Sequence, residues 1–258
     1  MLTLSMDLVH RSMAYAEQNF LDDNARHLQV DKTFIRDNFD LTGKRILDFG
    51  CGMGGMSLWY ARNWDCSVHG VDIDGHHVAI ANHLKMKYNA QKVLLEKRDI
   101  TQDRLADAYD AVFLNDVAEH IPYPVLTDIF AEIHRSLSAK GRVFVSYPPW
   151  QGPYASHVQR VTHLPWCQFL PEKMLLNWIK RKNITITGER ESDLLEAYQG
   201  LNHLTHERLM AVVEPLGFKI EKRVSHSILK RLPILRGLNP NVFPLHFLVS
   251  KEILILTK

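Results

Sequence analysis

The sequence predicts an α/β fold: a doubly wound, mostly parallel seven-stranded sheet with helices on both faces and a cap inserted after the fifth strand. Three observations carry this. From Ile46 onward, short apolar runs alternate with longer amphipathic ones, the pattern that builds a parallel sheet covered on both sides. The first run, Arg45 to Phe49, breaks at a glycine turn that opens directly into a helical pattern. Between residues 147 and 203 the alternation lapses, and afterwards it resumes. The chain therefore divides into an N-terminal helical cap over 1–42, a core over 43–146, an inserted substrate cap over 147–203, and a completion of the core sheet over 204–258.

Before the first strand, Leu8, Met13, Phe20, Leu28, Phe34 and Phe39 recur at roughly helical spacing and predict one or two helices across 7–38. Tyr15, Asn19 and Phe20 in this stretch either touch a ligand or simply pack in the core. Strands follow at 45–49, 67–72, 92–97, 109–115 and 141–146, with helices at 55–63, 75–88 and 124–137. The last helix is the clearest, because Pro124 suits its first turn and Val125, Leu126, Ile129, Phe130, Ile133 and Leu137 form one apolar stripe. Residues 138 to 141 end it. The cap is rich in proline and aromatic residues and carries a basic amphipathic piece around 172–182. Thr205 then reads as an N-cap, with a helix through Leu216, a stop at Gly217, a strand at 218–223 and a final strand at 247–257. Between those strands, 232–244 is apolar and contains prolines, which suits a second cap element or a loop touching a membrane.

Composition sets the outer limits. A chain of 258 residues with 46% hydrophobic content buries a full core. It has no apolar run near the roughly 20 residues that span a bilayer, and its first ten residues lack a basic region followed by an apolar block, so a cytoplasmic location is expected. Cys51, Cys66 and Cys167 have no CxxC spacing, which argues against a disulfide framework and a zinc site; no metal is expected. A net charge of +2 does not predict nucleic-acid binding. Its distribution is uneven, since Lys219, Lys222, Arg223, Lys230, Arg231, Arg236, Lys251 and Lys258 face only Glu221 and Glu252 from residue 217 onward. Such a region is either a solvated face or an attraction for an anionic substrate, carrier or membrane surface.

The chemistry concentrates at the strand ends, where open α/β sheets bind ligands. Gly50, Gly52 and Gly54 let the turn after the first strand take positive φ and approach a ligand closely. Gly50, Gly52 and Gly55 also satisfy a GxGxxG spacing, so the glycines alone leave the cofactor open. Asp48 discriminates: its negative charge would repel a pyrophosphate but attract the amino group of a methionine moiety, favouring S-adenosyl-L-methionine over NAD. The whole stretch, Arg-Ile-Leu-Asp-Phe-Gly-Cys-Gly-Met-Gly-Gly, resembles motif I of the class I S-adenosylmethionine-dependent methyltransferases. Cys51 sits inside this turn as a small residue of the cofactor loop.

Later segments extend the resemblance through residue 146. Asp72, with Ile73 beside it, lies where the family places a carboxylate on the adenosine ribose. Asp99 and Ile100 match the positions facing the adenine, although an Asp after a strand is also a common turn residue. Tyr109 to Ile121 resembles the fourth-strand motif with its Glu-His pair, which implies that Asn115 and Asp116 stand near the methionine end of the cofactor. Leu137 to Gly141 resembles the turn before the fifth strand, with Ala139 in place of proline and Arg142 in place of the second glycine.

In the cap, Tyr147 to His157 resembles a Pro-Pro-aromatic segment ending in His found in some small-molecule members. That implies His157 as a catalytic base, suited by an ordinary pKa near 6.5, with His120 as a second candidate and Tyr147, Trp150 and Tyr154 as substrate-facing residues. Each His also has a purely structural reading. The expected function is methyl transfer to oxygen or nitrogen of a small or medium-sized metabolite. An RNA or protein acceptor, an NAD-dependent oxidoreductase and a non-catalytic cofactor-binding scaffold remain as alternatives; the strand-four end lacks the Asn-Pro-Pro-aromatic motif of base-methylating enzymes, which argues against nucleic acid. The sequence leaves the oligomeric state open.

Overall fold

The computed structural model describes residues 6–258 except 26, 107, 159–163, 183–193, 232 and 236. The side chains of Leu8, Lys230, Arg231 and Arg236 and the start of the 232–244 segment lie outside the described residues. Seven strands form one sheet: β1 (Arg45–Phe49), β2 (Ser67–Asp72), β3 (Val93–Lys97), β4 (Tyr109–Asn115), β5 (Leu137–Tyr147), β6 (Lys219–Ser227) and β7 (Val249–Thr257). Their order is β3-β2-β1-β4-β5-β7-β6. All pairs from β3 to β5 are parallel, and β7 runs antiparallel to both β5 and β6. Strand order reverses between β1 and β4, so a ligand crevice is expected above their C-terminal ends.

The described helices are α1 (Met6–Leu21), α2 (Gln29–Asn38), α3 (Gly55–Asn63), α4 (Gly75–Lys87), α5 (Tyr123–Ser136), α6 (Glu172–Lys182), α7 (Leu194–Gln199) and α8 (His206–Val213). Successive strand residues serve opposite faces, because side chains alternate across a pleated strand. Ile46, Phe113 and Phe144 pack with Phe34, Trp59 and Leu84 on one face, while their neighbours Leu47, Val112 and Val143 pack with Phe130, Ile133 and Val213 on the other. Each such side chain, fully removed from water, contributes about 1.5–3 kcal/mol. A third apolar cluster lies in the cap, where Val158, Cys167, Leu175, Ile179 and Tyr198 pack together with Trp150 against them.

Of the boundaries that differ from the sequence expectation, three have a clear physical reason. The turn expected at 138–141 is a bulge inside β5, where the register passes from Tyr109↔Leu137 to Ala111↔Arg142. The helix begun at Thr205 stops at Val213 and tightens into a 3₁₀ turn over Glu214–Leu216, because Pro215 has no N–H to continue it. β6 runs to Ser227, four residues beyond expectation, sustained by its pairing with β7.

Candidate active site

The glycine turn is held from beneath by β2. The N–H groups of Gly50 and Cys51 both donate to the Val71 carbonyl, at 2.9 and 3.0 Å, and the Gly52 N–H donates to Asp72 Oδ2 at 2.8 Å. Gly50 has φ +67°, and a Cβ there would lie 2.7 Å from the Val117 side chain, so the turn after β1 abuts the turn after β4. Gly52 has φ +52°, and a Cβ there would meet nothing within 4 Å. That side of the turn is open backbone of the kind a ligand approaches closely. Cys51 is buried, and burial pushes its thiol well above the ordinary value, which leaves it an inert small side chain.

Two carboxylates flank this turn with opposite electrostatics. Asp48, on β1, is 2% exposed and accepts a 2.5 Å hydrogen bond from Ser57 Oγ at the start of α3. Burial, reinforced by the charge of Asp72, pushes its pKa up to about 7 against the pull of Ser57. A carboxylate so placed gains most when a cation comes beside it. For Asp72, burial acts to raise the pKa, but hydrogen bonds from His77 and from the N–H groups of Asp74 and Gly52 overcome it and hold the group below the usual range. Its Oδ1 accepts from the Asp74 N–H at 2.8 Å, so this acid both faces the crevice and ties the glycine turn to β2.

The remaining residues expected on the adenosine side are placed as follows. Ile73 is 66% exposed beside Asp72, presenting an apolar surface at the strand end. Asp99 accepts from the N–H and hydroxyl of Thr101 and from Gln102, which makes it the organiser of its own turn. Ile100 is half-buried against the second core cluster.

At the end of β4, Asn115 donates to the Tyr60 hydroxyl at 2.8 Å and leaves its Oδ1 buried without a partner. Asp116 takes φ +52° and accepts from Lys251 Nζ at 2.8 Å. Lys251 also pairs with Asp31 of α2, which is fully buried. Neither Lys251 nor Asp31 is visible as a site residue in the sequence, since they come from opposite ends of the chain. Lys251 and Arg223, which bonds Glu252, are consumed internally, so the basic C-terminal set is less of a surface than its sequence suggests.

The 3₁₀ turn Ala118–His120 follows, and the Glu-His pair of the motif lies on it. The Glu119 side chain is 4% exposed, and Oε1 lies 3.9 Å from His120 Nε2 and 4.0 Å from His157 Nε2. The two imidazoles meet edge to face at 5.1 Å, so the structure brings both candidate bases together. Asn202 fixes the turn: its Nδ2 donates to the carbonyls of Ala118 and Ile121 at 2.7 Å each, and its N–H donates to that of Glu119 at 2.9 Å. No local sequence pattern marks Asn202; Glu119 is marked only as half of the Glu-His pair.

Tyr147 requires a correction. It is fully buried and donates its hydroxyl to Glu252 at 2.9 Å, because the side chain falls on the inward face of β5. It serves the core, whereas the other two expected substrate-facing residues, Trp150 and Tyr154, are half-buried. Trp150 stacks on His203 at 3.9 Å. Phe20, one of the alternatives for ligand contact, is buried edge to face against Tyr88.

The comparisons with known proteins converge on this half of the chain. The family described as Methyltransferase domain matches residues 46–141, from β1 into β5 and across every cofactor-side residue named above. Residues 46–141 thus match a methyltransferase domain. Proteins similar to this chain include the sterol 24-C-methyltransferase of Debaryomyces hansenii, 32% identical over 136 residues, or 51% of this chain and 34% of that protein. Another is the ubiquinone biosynthesis O-methyltransferase of Pseudomonas aeruginosa, 30% identical over 117 residues, covering 44% and 48%. The matches thus span about a third to a half of these relatives' lengths. Among solved structures, phosphoethanolamine N-methyltransferase 2 of Haemonchus contortus, in complex with S-adenosyl-L-methionine, shares the fold with a TM-score of 0.60 at 18% identity, over 95% of this chain and 56% of that one.

S-adenosyl-L-methionine is the cofactor these matches support, and the residues present fit it. A buried carboxylate that favours a cation, an open glycine backbone, an ionised acid and an exposed isoleucine lie along one line of strand ends. Among the described residues, no helix is long and apolar enough to cross a membrane.

Proposed function

We propose that this chain is an S-adenosyl-L-methionine-dependent methyltransferase that transfers a methyl group to an oxygen or nitrogen of a small or medium-sized acceptor held under the cap. The observation that carries the proposal is the meeting of Glu119, His120 and His157 beside the glycine turn, roofed by a cap with its own apolar cluster. Asp48 would hold the cofactor's amino group, Asp72 the ribose, and Ile73, Asp99 and Ile100 the adenine side. Asn115 and Asp116 would stand at its methionine end. The bound cofactor supplies an already activated methyl group, so the chain's task is to align the acceptor and exclude water. An acceptor hydroxyl would pass its proton to His157, whereas a neutral amine would need no base.

The acceptor is expected to be apolar. Ile234 is 95% and Phe243 81% exposed, with Leu238 and Val242 partly so, beside the cap on the 233–248 segment. The relatives named above act on sterol and ubiquinone-pathway substrates by their names, both apolar classes. An RNA or protein acceptor is the alternative.

Calorimetric titration with S-adenosylhomocysteine and, separately, NADH comes first, followed by a labelled-methyl screen over phenols, polyprenyl and sterol-like alcohols, amines, RNA and peptides. Binding of S-adenosylhomocysteine alone with label transferred to a small molecule supports the proposal; label on RNA or peptide only would replace it. His157→Ala should lose transfer to a hydroxyl acceptor while keeping S-adenosylhomocysteine affinity, and full retained activity would reduce His157 to a structural role.

A further inference from the structure

Glu119 is an anomaly of the kind that marks a ligand. Its side chain is 4% exposed, yet neither carboxylate oxygen is hydrogen-bonded to another residue. Buried carboxyl groups are almost always paired, because an unpaired one forfeits its hydration without compensation. Two imidazole nitrogens stand beside it. At 3.9 and 4.0 Å they are too far for hydrogen bonds. They stand instead a little beyond the roughly 3.4 Å that separates two ligands of one tetrahedral cation, each about 2.0–2.2 Å from it, a gap that small side-chain rotations close.

We propose that Glu119, His120 and His157 form a binding site for a first-row divalent transition cation, of which zinc is the type. One ligand atom from each residue lies within 4.8 Å of the other two. The donor set of two imidazoles and one carboxylate suits zinc, iron(II), manganese(II) or cobalt(II), and disfavours calcium and magnesium, which take oxygen ligands. Three protein ligands leave at least one coordination position for water or an acceptor oxygen, as in catalytic rather than structural sites; in the loaded site His157 holds the cation rather than serving as the base, and the proton of an acceptor hydroxyl bound there, made more acidic by the cation, passes to water.

The surroundings are built to hold this geometry. Asn202 makes three hydrogen bonds to the backbone of the Ala118–Ile121 turn, which fixes the adjacent Glu119 and His120. His157 takes φ +57°, a conformation costly for a residue with a Cβ and retained where the surrounding structure imposes it. Asp116, held by Lys251, adds negative charge on the same side. The site stands next to the glycine turn, since Val117, two residues before Glu119, packs on Gly50. Cysteine spacing gave no hint of it, because the ligands are an adjacent Glu-His pair and a histidine 37 residues later.

The test uses the metal alone, so it does not depend on methyl transfer. The full chain, stripped with chelator and dialysed, is titrated with cobalt(II) and zinc(II) and followed by visible absorption and calorimetry. The expected result is one equivalent bound, with cobalt bands of a four- or five-coordinate site that zinc displaces. His157→Ala and His120→Ala should each weaken binding more than about 100-fold, beyond the cost of losing an outer partner of a metal ligand. Glu119→Gln should do likewise. Should that variant fail to fold, the exposed-side histidine variants decide the matter alone. His83→Ala, on the far side of α4, should bind as the wild type does. No binding to the wild type, or binding that survives both histidine variants, overturns the proposal. The separate titration with S-adenosylhomocysteine reports on the cofactor site whichever way this one falls.

Discussion

Replacing Asp48 by asparagine tests the charge on which the cofactor site turns. Asp48 is 2% exposed, and burial, with the charge of Asp72, raises its pKa from 3.8 to about 7. At about 1.4 kcal/mol per pH unit, ionising this group in the folded protein costs about 4 kcal/mol relative to the unfolded chain. Because the folded pKa is the higher one, the folded state holds the extra proton. The penalty is therefore complete above pH 7, shrinks as the pH falls, and is gone below about pH 4. Asparagine keeps the shape and still accepts from Ser57, but never ionises. Asp48→Asn without cofactor should melt above the wild type at pH 8, by roughly 8–16 °C if the full penalty is relieved in a chain of this size. The advantage should fall to less than half near pH 5. The same change removes the anion opposite the cofactor's amino group, so S-adenosylhomocysteine affinity at pH 8 should fall at least about 100-fold, the lower end of what an unpaired buried charge costs. Thermal melts at the two pH values and calorimetric titration read both effects. A variant that melts no higher than the wild type at pH 8 would refute the electrostatic argument, and one that binds S-adenosylhomocysteine as tightly would refute the placement of the amino group.

Asp72→Asn should cost about 1.5–3 kcal/mol in urea unfolding through the lost charge-assisted bond to Gly52 or Asp74, and should also weaken S-adenosylhomocysteine. Since the folded pKa of Asp72 is depressed, that stability difference should be flat from pH 5 to 8 and disappear only in stronger acid; a difference that grows between pH 5 and 8 would contradict it. Asn202→Ala strands the carbonyls of Ala118 and Ile121 and should destabilise by about 2–3 kcal/mol, whereas a change below about 0.5 kcal/mol would mean the turn does not need its clamp. Glu252→Gln leaves Arg223 unpaired and weakens the bonds from Tyr147 and His206, for an expected loss of about 3–5 kcal/mol on chemical unfolding, and a neutral result would show that solvent reaches this group.

What the sequence made legible was local. The strand, turn and helix around Asp48 to Gly55 follow from an apolar run meeting glycines, and the element boundaries of β1, β2, β4 and α3 agree residue for residue with expectation. Periodicity failed where one residue decides: Pro215 ends α8 early, and the β5 bulge over 138–141 looks in sequence like a turn. Tyr147 was misplaced because the alternation of a strand's last residue cannot be read once the pattern breaks at Pro148. The carboxylates of the glycine region were visible through their spacing, but their opposite electrostatics depend on the burial of Asp48 and on His77, which comes from the helix after β2.

The least legible part is the ion cluster that closes the site. Asp31 of α2 and Asp116 after β4 are 85 residues apart, and both meet Lys251 at the start of β7. Burial raises Asp31 to about 6 even with the lysine beside it, while the two acids together hold the Lys251 ammonium above its ordinary value. Such a buried cluster is weak evidence for stability, since desolvation offsets much of the attraction. Its location gives it a different use. Asp116 sits at φ +52°, in the left-handed region that Asp enters more readily than most residues with a Cβ. Lys251 grips its carboxylate from one side, while the Asp116 N–H donates to the Ser146 carbonyl at 3.0 Å from the other. The bend that aims the Ala118–His120 turn toward His157 is therefore set by contacts from α2, β5 and β7 together. The N-terminal helices and the last strand thus position the site from a distance, and the spacing of Glu119 from both histidines is a property of the whole sheet.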